Sequence, residues 1–245
     1  MSSTTNIPEE RPVANSSEND PLLDHSGDVT QDERNIWFNL IADSAGLAQI
    51  GIWVFAALVW SNILAQPIIL FTAHPLLASS ALLLQIQGIL ILQHTSIEKP
   101  SQKRTGAHIH YTIQLISTIL FLAAFIVIEI NKGSHPRLTS THSILGLLTV
   151  IFVVLQSLFG VVQYFLPELV LGSVDNGKKV YKYHRWSGYV ALLVLEIPAA
   201  IWGATQTDYS IAMLHIPLWA VLTAAAAVIV GVGARIRKQK LGLGN

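Results

Sequence analysis

A long block without charged side chains decides the fold of this chain. The block, residues 44–97, contains no Asp, Glu, Lys or Arg and reads SAGLAQIGIWVFAALVWSNILAQPIILFTAHPLLASSALLLQIQGILILQHTSI. A single helix of that length would extend about 80 Å, whereas the hydrocarbon core of a bilayer is about 30 Å thick. Because proline is disfavoured inside helices, Gln66-Pro67 and His74-Pro75 mark a break. The block therefore predicts two membrane-spanning helices, 46–66 and 74–94.

The remaining sequence continues the same pattern. Only 12% of the 245 residues are charged, about half the proportion usual in a soluble domain. Four further apolar runs are long enough to cross a bilayer: 105–128, 138–167, 186–207 and 209–234. The sequence therefore predicts an all-α membrane protein with six transmembrane helices.

Three segments follow from this pattern. Residues 1–45 are predicted to form a disordered acidic tail, because their polar first part lacks apolar side chains to bury. Residues 46–235 form the six-helix domain, and 236–245 form a basic tail. The zero net charge argues against a nucleic-acid partner, and the absence of cysteine excludes thiolate-ligated metals and disulfides.

The distribution of basic residues predicts the orientation in the membrane. Cytoplasmic loops of membrane proteins carry an excess of Lys and Arg. On one side, only Lys132 and Arg137 lie between spans. On the other side lie Lys99, Lys103, Arg104, Lys178, Lys179, Lys182, Arg185, Arg235, Arg237, Lys238 and Lys240. We therefore expect an integral membrane protein with both termini cytoplasmic, in a membrane that the sequence does not identify.

Four predicted helices carry a histidine near their first turn: His74, His110, His142 and His184. The predicted topology places His74 and His142 near the outer surface, and His110 and His184 near the cytoplasm. Alternate helices of an up-down bundle are diagonal across its core, so each pair could grip a flat cofactor from both faces. A lone histidine at a membrane interface is usually only a polar interfacial residue. Four that sort into two pairs favour bis-histidine ligation of b-type haem.

Small residues accompany three of these histidines. Gly146 follows His142 by four residues, and Gly188 follows His184 by four, so each shares a helix face with its histidine. Glycine at that position allows a porphyrin ring to approach the helix backbone. Ala78 and Gln114 stand at the equivalent positions after His74 and His110.

These residues resemble the cytochrome b561 family, in particular its small six-helix branch. The resemblance covers about residues 45–235 and lies in four ordered motifs, Phe71-x-x-His74-Pro75, His110-x-x-x-Gln114, Ser140-x-His142-Ser143-x-x-Gly146 and Tyr183-His184-x-x-x-Gly188. It implies that spans two to five hold two haems b, with His74 and His142 on the outer iron and His110 and His184 on the cytoplasmic iron. It further implies an ascorbate-dependent oxidoreductase that reduces monodehydroascorbate or a ferric chelate across the membrane.

Several alternatives stay open at this stage. Four basic residues near the cytoplasmic histidines could attract an anionic donor or simply follow the positive-inside rule: Lys103, Arg104, Lys178 and Lys182. Glu196, inside the fifth span, is either a proton-transfer group or a protonated, hydrogen-bonded side chain. The haems could take electrons from a donor other than ascorbate. A haem-free membrane scaffold or small-solute transporter is the alternative function, and homodimer formation is left open.

Overall fold

The computed structural model describes residues 35–95 and 99–243. The described chain is helical and contains no strand. Six helices account for most of it: α1 (Ala45–Leu64), α2 (Leu70–Gln93), α3 (Pro100–Lys132), α4 (Thr141–Phe165), α5 (Val174–Thr205) and α6 (Leu218–Gly233). Shorter helical segments lie at Ile36–Leu40, Pro167–Leu171, Ser210–Leu214 and Gln239–Leu241.

The prediction of an all-α membrane protein is confirmed. Helices α1 to α5 are each long and apolar enough to cross a bilayer, and α6 is a shorter apolar helix. Large apolar side chains project outward from α3 and α4, including Ile119, Ile126, Leu155 and Leu158, each more than half exposed. In water such a surface would be unstable, whereas acyl chains solvate it as well as protein does.

The helices pack in chain order. Helix α1 lies against both α2 and α6, α2 packs along α3, and α4 contacts both α3 and α5. The buried apolar core includes Ile52, Phe55, Ile86, Leu192 and Val228, which come from α1, α2, α5 and α6. The loops 65–69, 133–140 and 206–217 lie at one end of the bundle. We call the other end, where Lys103, Arg104, Lys178 and Lys182 lie, the basic end.

Several predicted helix bounds are wrong. Helix α2 begins at Leu70, so Pro75 lies inside it and the break falls at 65–69. Helix α3 begins at Pro100 and α5 at Val174, so His110 and His184 are each the eleventh residue of their helix rather than near its first turn. Both helices continue past the apolar run because Lys, Arg and Gln are good helix formers in water. The presence of a charge marks the edge of the apolar run but does not end the helix.

The last span is also shorter than predicted. It begins at Leu218 instead of 209, after a π-helical turn at Ser210–Leu214. His215 has a left-handed backbone with φ of 50°, and Pro217 precedes the new helix. These two residues interrupt the apolar run without introducing any charge.

Basic and polar residues anchor both ends of the chain at the basic end. The fully buried Arg235 donates hydrogen bonds to Gln93 Oε1 and to the carbonyls of Asn39 and Ala42. Lys240 Nζ donates to the Thr95 carbonyl. The described part of the predicted acidic tail, 35–45, and that of the predicted basic tail, 236–243, are thus folded against the bundle. Residues 1–34 lie outside the described residues, and the segment boundaries remain predictions.

The contact between α1 and α6 provides a test of this packing. A Cβ atom at Gly51 would lie 2.5 Å from the Ala224 carbonyl oxygen, whereas a Cβ at Gly46 of the same helix would have its nearest neighbour at 3.5 Å. We predict that Gly51→Ala destabilises the protein by about 1–3 kcal/mol through overpacking. Gly46→Ala should leave the stability unchanged or raise it slightly. Thermal unfolding in detergent measures both, and equal melting temperatures for the two variants would contradict this packing.

Candidate cofactor site

The structure brings the four predicted histidines together in two pairs. The ring centres of His74 and His142 are 5.9 Å apart, with ring planes at 78°. Those of His110 and His184 are 6.5 Å apart, with planes at 82°. The first pair lies at the end opposite the basic end, near the starts of α2 and α4. The second pair lies toward the basic end.

Hydrogen bonds to backbone carbonyls fix three of the imidazoles. His74 Nδ1 lies 2.9 Å from the Ala124 carbonyl oxygen, His110 Nδ1 lies 2.7 Å from that of Gly88, and His142 Nδ1 lies 2.9 Å from that of Ala199. A carbonyl only accepts, so each Nδ1 carries the ring hydrogen. Nε2 is then left as the unprotonated nitrogen in each ring, which is the state that a metal ligand requires.

Helices α2 and α3 each provide a histidine and also the backbone carbonyl that holds the histidine of the other helix. Helix α2 provides His74 and, about four turns later, the Gly88 carbonyl that holds His110 of α3. Helix α3 provides His110 and, at the same separation along the chain, the Ala124 carbonyl that holds His74. Because the helices are antiparallel, this separation of about 20 Å along the axis places one histidine at each end of the pair.

Helices α4 and α5 repeat this arrangement with one difference. His142 is followed, at the same separation again, by Gln156, which contacts His184. In α5, however, Ala199 follows His184 at a separation that is one residue longer. The π-helical segment Ala191–Glu196 lies between them. A π-turn has a wider repeat than an α-turn, and this segment accommodates the additional residue while Ala199 still faces His142.

His184 has a different partner from the other three histidines. Its Nδ1 lies 3.2 Å from Nε2 of Gln156, which also donates to the His184 carbonyl. Oε1 of Gln156 accepts from Ser187. In this arrangement Nδ1 accepts a hydrogen bond, and the ring hydrogen is on Nε2. Metal ligation through Nε2 requires the Gln156 amide to turn over, so that Oε1 accepts from Nδ1–H.

Glycines stand beside the histidine rings. A Cβ atom at Gly203 would lie 2.7 Å from Cε1 of His142, and one at Gly160 would lie 3.2 Å from Cε1 of His184. A Cβ at Gly188 would lie 2.9 Å from Gln156 Nε2, so this glycine leaves room for the amide that contacts His184. A Cβ at Gly146 would meet no atom within 4 Å. Haem contact at Gly146 and Gly188 remains a prediction.

The spacing of the rings fits bis-histidine ligation of an iron. Two Fe–N bonds of about 2 Å, with about 1.1 Å from each nitrogen to its ring centre, separate ring centres by about 6 Å. Both observed separations lie near this value. Among the described residues, no three His, Cys, Asp or Glu side chains are grouped to hold a metal by themselves. Two protein ligands suffice for haem, because the porphyrin supplies the other four nitrogens.

The predicted donor-binding residues all lie on the first three turns of α3 and α5. Lys178 Nζ pairs with Asp175 at 3.6 Å, and Lys182 Nζ lies 5.0 Å from the centre of the Tyr183 ring. Arg104 is exposed, and Lys103 is half-buried. All four are therefore on the helices that carry His110 and His184, within three turns of these residues.

Three other described histidines do not join the two pairs. His108 is exposed, and its ring packs on Tyr111 with a centroid distance of 5.5 Å. His94 lies 3.5 Å from Asp43 at the end of α2. His135 is exposed in the loop after α3. The choice of His110 over His108 as a ligand remains a prediction.

Six apolar helices, four of which direct histidines at one another in two pairs, define an integral membrane protein with an interior suited to haem. The family model described as eukaryotic cytochrome b561 matches residues 73–211, more than half of the chain. The chain belongs to the cytochrome b561 family. It is therefore a b-type haem protein that transfers electrons across a membrane. The match spans α2 to α5, and no curated protein and no solved structure matches the chain.

Some residues around the histidines were not predicted from the sequence. They include Gln156, Gly160 and Gly203, together with the carbonyls of Gly88, Ala124 and Ala199. A separation of about four helical turns from a histidine would have indicated Gly88, Ala124 and Gln156. The π-helical segment hides the corresponding separation in α5. Backbone carbonyls leave no direct signal, since every residue type provides one.

The close approach of Gly203 to His142 can be tested by adding one methyl group. We expect Gly203→Ala to displace the His142 ring and to reduce haem binding at that end only, because a Cβ would overlap the imidazole. Gly233→Ala is the matched control, since a Cβ there meets nothing within 4 Å. The measurement is the haem-to-protein ratio and visible spectrum of each purified variant. Unchanged haem content and spectrum in Gly203→Ala would contradict the close contact.

Proposed function

We propose that this protein carries electrons across the membrane through two haems b, one ligated by His74 and His142 and the other by His110 and His184. The observation that supports this proposal most strongly is the presence of two histidine pairs, each with ring centres about 6 Å apart. Three of the four rings also have Nδ1 held by a carbonyl, which leaves Nε2 free to bind iron. Family membership favours this function over a haem-free scaffold or transporter.

The side chains and backbone of the chain orient and shield the site. The carbonyls of Ala124, Gly88 and Ala199 hold their imidazoles in a single orientation, so that little rearrangement accompanies a change of oxidation state. The surrounding helices exclude water from the bundle interior. The haem, when bound, would supply the one-electron chemistry of its iron, and the two histidine pairs would hold it.

We further propose that the donor is ascorbate or a similar small anion that binds at the basic end. Lys103, Arg104, Lys178 and Lys182 provide the positive charge that would attract it. The excess of Lys and Arg supports a cytoplasmic location for this end and for both termini. Electrons then leave from the His74–His142 end to monodehydroascorbate or a ferric chelate on the opposite side.

Sealed vesicles test the direction and the donor together. The protein is reconstituted with the basic end facing the lumen, which contains ascorbate, and a ferric chelate is added outside. We expect external ferric reduction that requires both protein and internal ascorbate. Vesicles with the His110→Ala/His142→Ala double variant serve as control. If another donor reduces the haems and ascorbate does not, the proposal of two haems stands but ascorbate is not the donor.

Single histidine variants test the assignment of ligands to haems. We predict that His142→Ala and His184→Ala each remove one haem and leave the other in a low-spin state, because each iron loses one of its two protein ligands. His108→Ala is the control and should retain both haems. Reduced-minus-oxidised spectra and haem assays provide the measurement. Loss of both haems in a folded His142→Ala protein, or of neither, would contradict the assignment.

Neutralising a basic residue tests donor binding separately from haem binding. We predict that Lys182→Gln raises the KM for ascorbate about threefold to tenfold by removing one attractive charge, with the haem spectrum unchanged. Lys179→Gln removes an exposed charge from the same helix and should have a smaller effect. The KM of each variant is obtained from the initial rate of haem reduction as a function of ascorbate concentration. Equal KM values for the two variants would indicate that the charge serves membrane topology alone.

A further inference from the structure

A buried carboxyl group lies in the middle of the bundle and is not used by the proposed haem ligation. Glu196 is 3% exposed and belongs to the π-helical segment of α5. Its Oε1 accepts a hydrogen bond of 2.6 Å from Nε2 of Gln85 on α2. Its Oε2 is buried and makes no hydrogen bond within the described part of the chain. An intramembrane carboxyl group with one unpartnered oxygen is energetically costly, which points to a function.

Other polar groups of the same cluster are neutral and hold Gln85 in place. Ser117 Oγ on α3 donates to the Ala81 carbonyl at 2.8 Å and lies 3.3 Å from Gln85 Oε1. Gln114 Nε2 donates to the Gln85 carbonyl at 3.1 Å. Gln85 is thereby oriented with its amide hydrogens toward Glu196. An oriented donor of this kind stabilises a carboxylate more than a carboxylic acid.

Helices α1, α2, α3, α4 and α6 contribute no charged residue to the apolar interior around Glu196. The apolar runs 44–97, 105–128, 138–167 and 209–234 contain no Asp, Glu, Lys or Arg. On α5 itself, Arg185 and Tyr189 lie toward the basic end, with Tyr189 accepting from Gln93 and Arg185 donating to the Lys240 carbonyl. Within the described part of the bundle, the four site histidines also face the interior, and the fully buried Arg235 lies at the basic end.

Glu196 lies between the two histidine pairs, because its backbone is near one pair and its hydrogen-bond partner is near the other. Ala199, whose carbonyl accepts from His142, is three residues further along α5, within one helical turn. His184 lies earlier on the same helix, about 18 Å away along its axis. Its hydrogen-bond partner Gln85, in contrast, is three residues before Gly88, whose carbonyl accepts from His110. The carboxyl group therefore lies between the two pairs, and its charge acts on both.

We propose that Glu196 is a redox-linked proton acceptor for the haem-binding interior, an inference that rests on the proposed haem function. Glu196 is a carboxylate while the iron is ferric, because a ferric centre carries one positive charge more than a ferrous one. As one electron enters and the iron becomes ferrous, the carboxylate binds one proton from the aqueous phase and forms an O–H bond. Electron and proton enter together, so the net charge of the low-dielectric interior stays constant.

Redox titration of the purified holoprotein at several pH values tests this proposal. In the wild type, the midpoint potential of at least one haem should fall as the pH rises. Glu196→Gln keeps the shape of the side chain but cannot bind a proton, so this dependence on pH should disappear. Glu129→Gln is the matched control, since Glu129 pairs with Lys132 and Arg137 outside the cluster. The His142→Ala and His184→Ala backgrounds isolate each haem in turn.

A second measurement detects the bound proton directly. The reduced-minus-oxidised infrared spectrum of the wild type should gain a carboxylic-acid C=O band on reduction, and Glu196→Gln should lack it. A haem-replete Glu196→Gln protein that retains the wild-type dependence on pH would overturn the proposal, as would a wild-type spectrum without the band. A preparation without haem would instead overturn the proposed function.

Discussion

The histidine-to-carbonyl hydrogen bond across an antiparallel helix pair is the contact on which the functional interior depends. It determines the tautomer and the direction of three of the four rings, and it sets how the two helices are aligned along their axes. A displacement of α2 along α3 by one residue would separate His74 from Ala124 and His110 from Gly88 at the same time. Because the acceptors are backbone atoms, side-chain substitution at those positions does not remove them. The arrangement therefore constrains helix packing more than it constrains sequence.

The same constraint explains the irregular part of α5. The segment Ala191–Glu196 is π-helical, and it lies between His184 and the carbonyl that holds His142. It also ends at the buried carboxyl group of Glu196. A single local irregularity thus aligns α5 with α4 and places the acid in the interior beside Gln85. π-Turns are uncommon in regular helices and frequent at functional sites, which agrees with this position.

The sequence predicted the fold and the histidine pairs well because both follow from strong physical signals. Long uncharged apolar runs that match the thickness of a bilayer have few alternatives to membrane helices. Helix direction alone sorts His74 with His142 and His110 with His184. The exact helix ends were predicted less well, because α3 and α5 continue into water on Lys- and Gln-containing turns. The partner of Glu196 was also missed, since no local pattern relates two side chains that lie far apart in sequence on different helices.

The haem-to-protein ratio of the purified wild-type protein, determined together with its spin state, tests the central claim most directly. Two low-spin haems b per chain are predicted, one for each histidine pair. A folded preparation with no haem, or with high-spin haem in which one axial position is open, would contradict the account.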